Sequence, residues 1–266
     1  APDYGASDSS LMPNKDENCP SRKTAPGKMH FCPLAGTAQE ADELRMRFNL
    51  RTSRVWTGGR ATETALKQVK GPRILHLATH GFFLNDLPES ESWFTRGGVF
   101  DPERPVPAHY LTNPLLRSGI ALAGANVQKT GRIDDGILWA EEVSALDLQG
   151  TQLAVLSACE TGIGAVQPGE GVYGLRRALV LAGVRTQLVS LWKVHDIATK
   201  ELMAQYYWHL ETQIPRMGRL EALRAVQLAM LKQSNRKHPY YWAAFTTIGD
   251  SSPLPRTADL PSKTAR

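Results

Sequence analysis

Cysteine is scarce in this chain, with three among 266 residues. So small and odd a number excludes the disulfide-stapled scaffolds of secreted mini-domains. Cys19 and Cys32 fall in a polar, proline-rich leader; they are able to pair, but they read there as two plain thiols. This usage fits a reducing compartment, so the expected location is cytoplasmic. No apolar run reaches the roughly 18 residues of a membrane span, and no membrane partner is expected. No block of lysine and arginine stands out: the net charge of +5 is spread along the chain. Nucleic acid is therefore not an expected partner. Internal repeats and low-complexity tracts are also missing. The chain opens on Ala rather than Met, which reads as a processed chain or a fragment.

What remains is a patterned block between two loose ends. Residues 1–33 are rich in Pro, Ser, Asp, Asn and Lys and are expected to be an irregular leader; residues 251–266 read as a flexible tail. Between them, in 34–250, strand-like and helix-like segments alternate, as in an α/β fold with a mostly parallel sheet. Short apolar runs predict strands over 74–79, 119–123, 153–157, 187–191 and 244–248. Both faces of each run are apolar or small, as for strands covered by helices on both sides. Helical spacing places Ala41, Leu44 and Phe48 on one face of 37–48, and Val172, Leu175, Leu179 and Ala182 on a stripe ended by Gly183. Ala198, Leu202, Tyr206 and Leu210 form a third face, and Leu220, Leu223, Val226 and Met230 a fourth. Residues 84–114, proline-rich and without a period, read as a long loop.

Chemistry gathers where two of these strands end. One run, ILHLATHG, ends in His80 and Gly81; another, LAVLSACETG, ends in Cys159. In open α/β sheets, sites form beyond the carboxyl ends of the strands. A thiol becomes a nucleophile when a base takes its proton, and a neutral imidazole can do so. Gly81 permits a sharp turn and a close approach of its N–H to a substrate oxygen. With the N–H of Cys159 it would make an oxyanion hole. His76, in mid-strand, reads as a hydrogen-bonded core histidine. The pair in HLATH lacks the Glu and the helix of a zinc motif, so no metal is expected. The glycine-rich GIGAVQPGEG follows a strand as a phosphate loop would, but it lacks the Gly-Lys-Ser/Thr ending; a mobile loop beside Cys159 is the simpler reading.

Taken together, the blocks ILHLATHGFF, NPLLRSGIALAGAN, GILWAEEVSALDLQGTQLAVLSACETGIG, GEGVYGLRRALVLAGVRTQLVSLWKVHDIAT and HPYYWAAFTTIG resemble the CHAT family. These are caspase-like cysteine peptidases of the clan that also holds separases and gingipains. The resemblance spans roughly residues 33–250. It implies a caspase-like three-layer sandwich with a mostly parallel central sheet and helices on both faces. It also implies His80 and Cys159 as a catalytic dyad, with Gly81 and Cys159 supplying the oxyanion hole from their backbone. By likeness to separases, SLWKVHDIAT forms a wall of the pocket for the residue before the cut, which puts Trp192 and Asp196 beside the substrate. From the residues alone, Asp196 reads equally as a helix N-cap and Trp192 as packing. Members are often joined to tetratricopeptide repeats, absent here, and typical domains carry more α/β structure ahead of this leader.

The expected function is thus a cysteine endopeptidase acting on protein or peptide substrates without a cofactor, with a tetratricopeptide-repeat or other regulatory partner. The alternatives are a non-catalytic interaction module of the same fold and, more weakly, a nucleotide-binding α/β protein.

Overall fold

The computed structural model describes residues 2–4, 23–25, 28–48, 55–84, 113–127, 134–157, 160–163, 170–192, 194–212 and 216–255. Its centre is a four-stranded sheet in the order β10-β9-β7-β3. Strands β3 (Ile74–Leu77), β7 (Leu153–Leu156) and β9 (Thr186–Ser190) run parallel, and β10 (Phe245–Gly249) closes the edge antiparallel to β9. The parallel strands are near-continuous apolar runs because both of their faces are covered. Residues alternate between the two sides. Leu153, Val155 and Leu188 enter one core with helices α5 (Asp196–Thr212) and α6 (Arg219–Lys232). Ala154, Leu156 and Val189 enter another with α3 (Ala140–Ser144) and α4 (Glu170–Leu181). Helix α1 (Ala35–Phe48) lies against α5. The result is the three-layer α/β arrangement expected, with a mainly parallel central sheet.

The helix faces follow the sequence spacing closely. Ala198, Leu202, Tyr206 and Leu210 are all fully buried. Two residues beyond the end of helix α4 stands Gly183, whose φ of +102° is the left-handed conformation that stops a helix cheaply only at glycine. One stripe position differs: Leu220 is half exposed, and Ala222 takes its place in the core beside Leu223, Val226 and Met230.

A second four-stranded sheet, in the order β6-β5-β4-β8, was not legible as such. Strand β5 (Ser118–Ala121), expected in the parallel sheet, instead pairs antiparallel with β4 (Gly81–Leu84) and with β6 (Ile137–Trp139). Strand β8 (Glu160–Ile163) pairs parallel with β4. The leader, expected to be irregular, carries a short antiparallel hairpin of β1 (Lys23–Ala25) and β2 (Lys28–Met29). A short helix, α2 (Glu63–Lys67), is capped by the Thr62 side chain, and Glu63 accepts the Gly136 N–H at 2.7 Å, bracing the approach to β6. Most of the expected long loop of 84–114, and 164–169 of the glycine-rich loop, lie outside the described residues.

Candidate functional site

The two strands that carry the expected site residues cross from one sheet into the other side by side. Leu77 pairs with Leu156 at the end of β3 and β7. Gly81 pairs with Glu160 at the start of β4 and β8. The offset in sequence is the same in both ladders. Between them the Ser157 N–H donates to the Leu77 carbonyl at 3.1 Å, so the two chains stay in step as they leave the first sheet. His80 lies in this gap on one strand; Cys159 belongs to the gap on the other and lies outside the described residues.

His80 is 4% exposed. Its Nε2 donates to the Cys32 carbonyl at 2.7 Å. A carbonyl oxygen only accepts, so this bond fixes the proton on Nε2 and, in the neutral ring, leaves the lone pair on Nδ1. The His80 carbonyl accepts from the Ala121 N–H at 2.8 Å, tying the residue to β5. The rings of Tyr4 and Phe31 lie 5.3 and 5.7 Å from the imidazole. Tyr4 also hydrogen-bonds Thr79 Oγ1 at 3.0 Å, and Thr79 Oγ1 donates to the Ala121 carbonyl. Leader residues therefore wall the imidazole, a role the sequence did not suggest because short polar-flanked aromatics carry no period. Cys32 is disulfide-bonded, against the expectation of a plain thiol.

Gly81 does not make a turn. It is the first residue of β4, paired with Ile120 on one side and Glu160 on the other, so its lack of a side chain serves a sheet position next to His80. His76 is the hydrogen-bonded core histidine expected. Tyr207, whose hydroxyl burial holds in its protonated form, bonds Nδ1 at 2.8 Å. Nε2 lies 3.2 Å from Glu40 and 3.3 Å from Ser157 Oγ. This buried network joins α1, α5 and the tip of β7.

The segment after β9 lies at the same end of the sheet, because β9 runs parallel to β7 and β3. Trp192 is 40% exposed and Leu191 is similarly open, so Trp192 is a surface residue rather than core packing. Asp196 is the first residue of α5, and its side chain lies outside the described residues. His195, the residue before it, caps the helix. The His195 carbonyl accepts from the Thr199 N–H at 2.9 Å, and its Nδ1 accepts from the Ala198 N–H at 3.4 Å. Among the described residues no cluster of His, Cys, Asp and Glu has metal-holding geometry, and no helix is long and apolar enough to cross a membrane.

A family model described as CHAT domain matches residues 7–250, so the match begins well inside the leader. The chain is 33% identical over 117 residues to tetratricopeptide repeat protein 28 of Mus musculus, covering 43% of this chain and 5% of that protein. It is 31% identical over 139 residues to tetratricopeptide repeat protein 28 of Homo sapiens, covering 52% of this chain and 5% of that protein. The chain thus spans a small fraction of the length of these relatives.

Proposed function

The chain belongs to the CHAT domain family, and from that premise we propose that it is a cysteine endopeptidase with His80 and Cys159 as its dyad. The observation that carries this is the common offset of the β3–β7 and β4–β8 ladders. The same offset, 79 residues in both ladders, separates residues 80 and 159, which supports reading them as a pair. His80 Nδ1 accepts the thiol proton, since the Nε2 proton is committed to the Cys32 carbonyl. The thiolate attacks the scissile carbonyl carbon, and the backbone N–H of Cys159 holds the oxyanion; Gly81, the other donor expected, is engaged in the β4 ladders, so its N–H serves only if the β4–β8 pairing opens there. The imidazolium returns its proton to the leaving amine. His80 then takes a proton from water, whose attack on the thioester releases the acid and frees the thiol. Trp192 and Asp196 line the pocket for the residue before the cut. No cofactor enters this scheme.

The relatives' names concern repeats rather than catalysis. This favours, as a second reading, an interaction module of the same fold, and for either reading a tetratricopeptide-repeat partner or tether. A positional-scanning peptide library, run with the wild-type chain and with Cys159→Ala, separates the two. Cleavage that vanishes in the variant supports the peptidase; no cleavage by either, together with an ordinary Cys159 alkylation rate, supports the module.

A further inference from the structure

Asn126 ends the block NPLLRSGIALAGAN, and neither the sheets nor the dyad accounts for it. It lies just beyond β5, and its side chain bonds both backbone groups of one residue. Its Oδ1 accepts the Phe31 N–H at 2.8 Å, and its Nδ2 donates to the Phe31 carbonyl at 2.8 Å. An amide side chain here supplies the pairing that a neighbouring strand would give. The Asn126 N–H also donates to the Tyr4 carbonyl at 2.7 Å, with the Gly124 N–H on the Asp3 carbonyl at 2.8 Å beside it. One residue thus holds both leader segments that enclose His80. Phe31 is fully buried, so its backbone groups depend on this partner. The next carbonyl along the chain is that of Cys32, the acceptor for His80 Nε2.

We propose that Asn126 is a positioning residue for His80: by pinning Phe31 it aims the Cys32 carbonyl at Nε2, which fixes the tautomer and the orientation of the imidazole. The catalytic consequence rests on the dyad reading; the positioning itself does not. Replacement by Ala removes both bonds to Phe31. Replacement by Asp keeps an acceptor for the Phe31 N–H but sets an anionic oxygen against the Phe31 carbonyl, a conflict that protonation of the carboxylate removes.

The test uses the full chain with isotope-labelled histidine, the His80 ring signals being assigned by their loss in His80→Gln. Ring nitrogen shifts are recorded for wild type, Asn126→Ala and Asn126→Asp from pH 5 to 8. Wild type is expected to show the Nε2–H tautomer and Asn126→Ala a mixture. Asn126→Asp should show a mixture at pH 8 that approaches the wild-type signals as the pH falls. Asn126→Ala should also lower kcat/KM for peptide cleavage by about a hundredfold, with KM little changed. Wild-type ring signals in folded Asn126→Ala overturn the proposal. Should that variant fail to fold, Asn126→Asp decides, and signals that match wild type at pH 8 overturn it. Altered ring signals in a chain that shows no Cys159-dependent cleavage uphold the positioning role while removing the peptidase reading.

Discussion

Glu160 lies opposite Gly81 in a parallel ladder, at the same sequence offset by which Leu156 lies opposite Leu77. Two strands therefore leave the central sheet together and re-pair in a second sheet, without losing register. Under the proposed dyad, ladders on either side of the gap would give two side chains from distant parts of the sequence the rigid supports that reactive pairs require.

The first expectation is that Cys159 and His80 act as one unit. Cys159→Ala and His80→Gln should each reduce cleavage on the order of a thousandfold or more, and the double variant should be no worse than either single one. Thermal unfolding should show Cys159→Ala near wild type. His80→Gln should be less stable, because the ring fills a buried space between Tyr4 and Phe31. Retained cleavage in Cys159→Ala removes the mechanism.

Cys32 is disulfide-bonded, and the chain has two other cysteines, Cys19 and Cys159. A nucleophilic Cys159 must be a thiol, so the mechanism requires Cys19 as the partner. Peptide mapping without reductant is expected to recover a Cys19–Cys32 linkage with Cys159 open to alkylation. A Cys32–Cys159 linkage would instead mean that the oxidised chain is latent, and that reductant rather than the dyad's geometry controls its onset.

The strand tips were legible because apolar runs that stop at small residues are a strong signal, and ILHLATHG and LAVLSACETG both show it. Helices α4, α5 and α6 were legible for the same reason: their apolar spacing is that of one buried face. The second sheet was not legible. Gly81–Leu84 and Ile137–Trp139 are too short to show alternation, and β5 reads as an apolar run whether its neighbours are parallel or antiparallel. The wall around His80 was missed for a different reason. Tyr4, Phe31 and Asn126 are single residues separated by long stretches of chain, and only tertiary contacts bring them together. The cap at His195 was not singled out because carboxylates such as Asp196 are the commoner caps, while here an imidazole nitrogen accepts the Ala198 N–H.

Glu63 gives the stability a pH dependence. Burial is the largest influence on its carboxyl and, despite Lys67 and the Gly136 N–H, pushes it up from 4.5 to about 7. The folded chain therefore keeps a proton that the unfolded chain releases from about pH 4.5 upward. More protons bound in the folded state mean that stability falls as the pH rises from 4.5 to 7, then levels off. Glu63→Gln removes this titration while keeping an acceptor for Gly136. Its melting temperature relative to wild type should climb across that window and stay constant above it. Asp135, also raised by burial, remains in both chains, so the slope is reduced rather than abolished. A difference that does not change with pH contradicts the assignment.

Gly174 lets α4 approach the turn before β5. A Cβ there would sit 2.1 Å from Ser118 Oγ and 2.5 Å from the Pro114 carbonyl oxygen. Ser118 already donates to Pro114 at 2.8 Å, so the turn has no room to give. Gly174→Ala should destabilise the chain by about 1–3 kcal/mol, the usual cost of overpacking. Chemical denaturation measures this directly, and an unchanged midpoint would show that the helix can shift outward without loss.

Asp196 is expected to set a preference for Arg or Lys just before the cut. It begins α5 at the end of the sheet where the proposed dyad lies, four residues beyond the exposed Trp192. A carboxylate in a partly desolvated pocket pairs with a guanidinium through charge-assisted hydrogen bonds, at about 1.5–3 kcal/mol. That corresponds to a loss of roughly ten- to a hundredfold for an Arg substrate when the charge is removed. The competing role, capping α5, is filled by His195, which the ring of Tyr241 also contacts edge-on at 5.5 Å. Asp196→Asn should therefore leave the melting temperature close to wild type, save for about 0.3–1 kcal/mol from the helix dipole. The measurement compares kcat/KM for substrates with Arg, Met or Asp before the cut, in wild type and Asp196→Asn. A loss confined to Arg supports the pocket. An equal loss for all three would show that Asp196 acts on the helix and that specificity is set elsewhere, with the exposed face of Trp192 the next residue to vary.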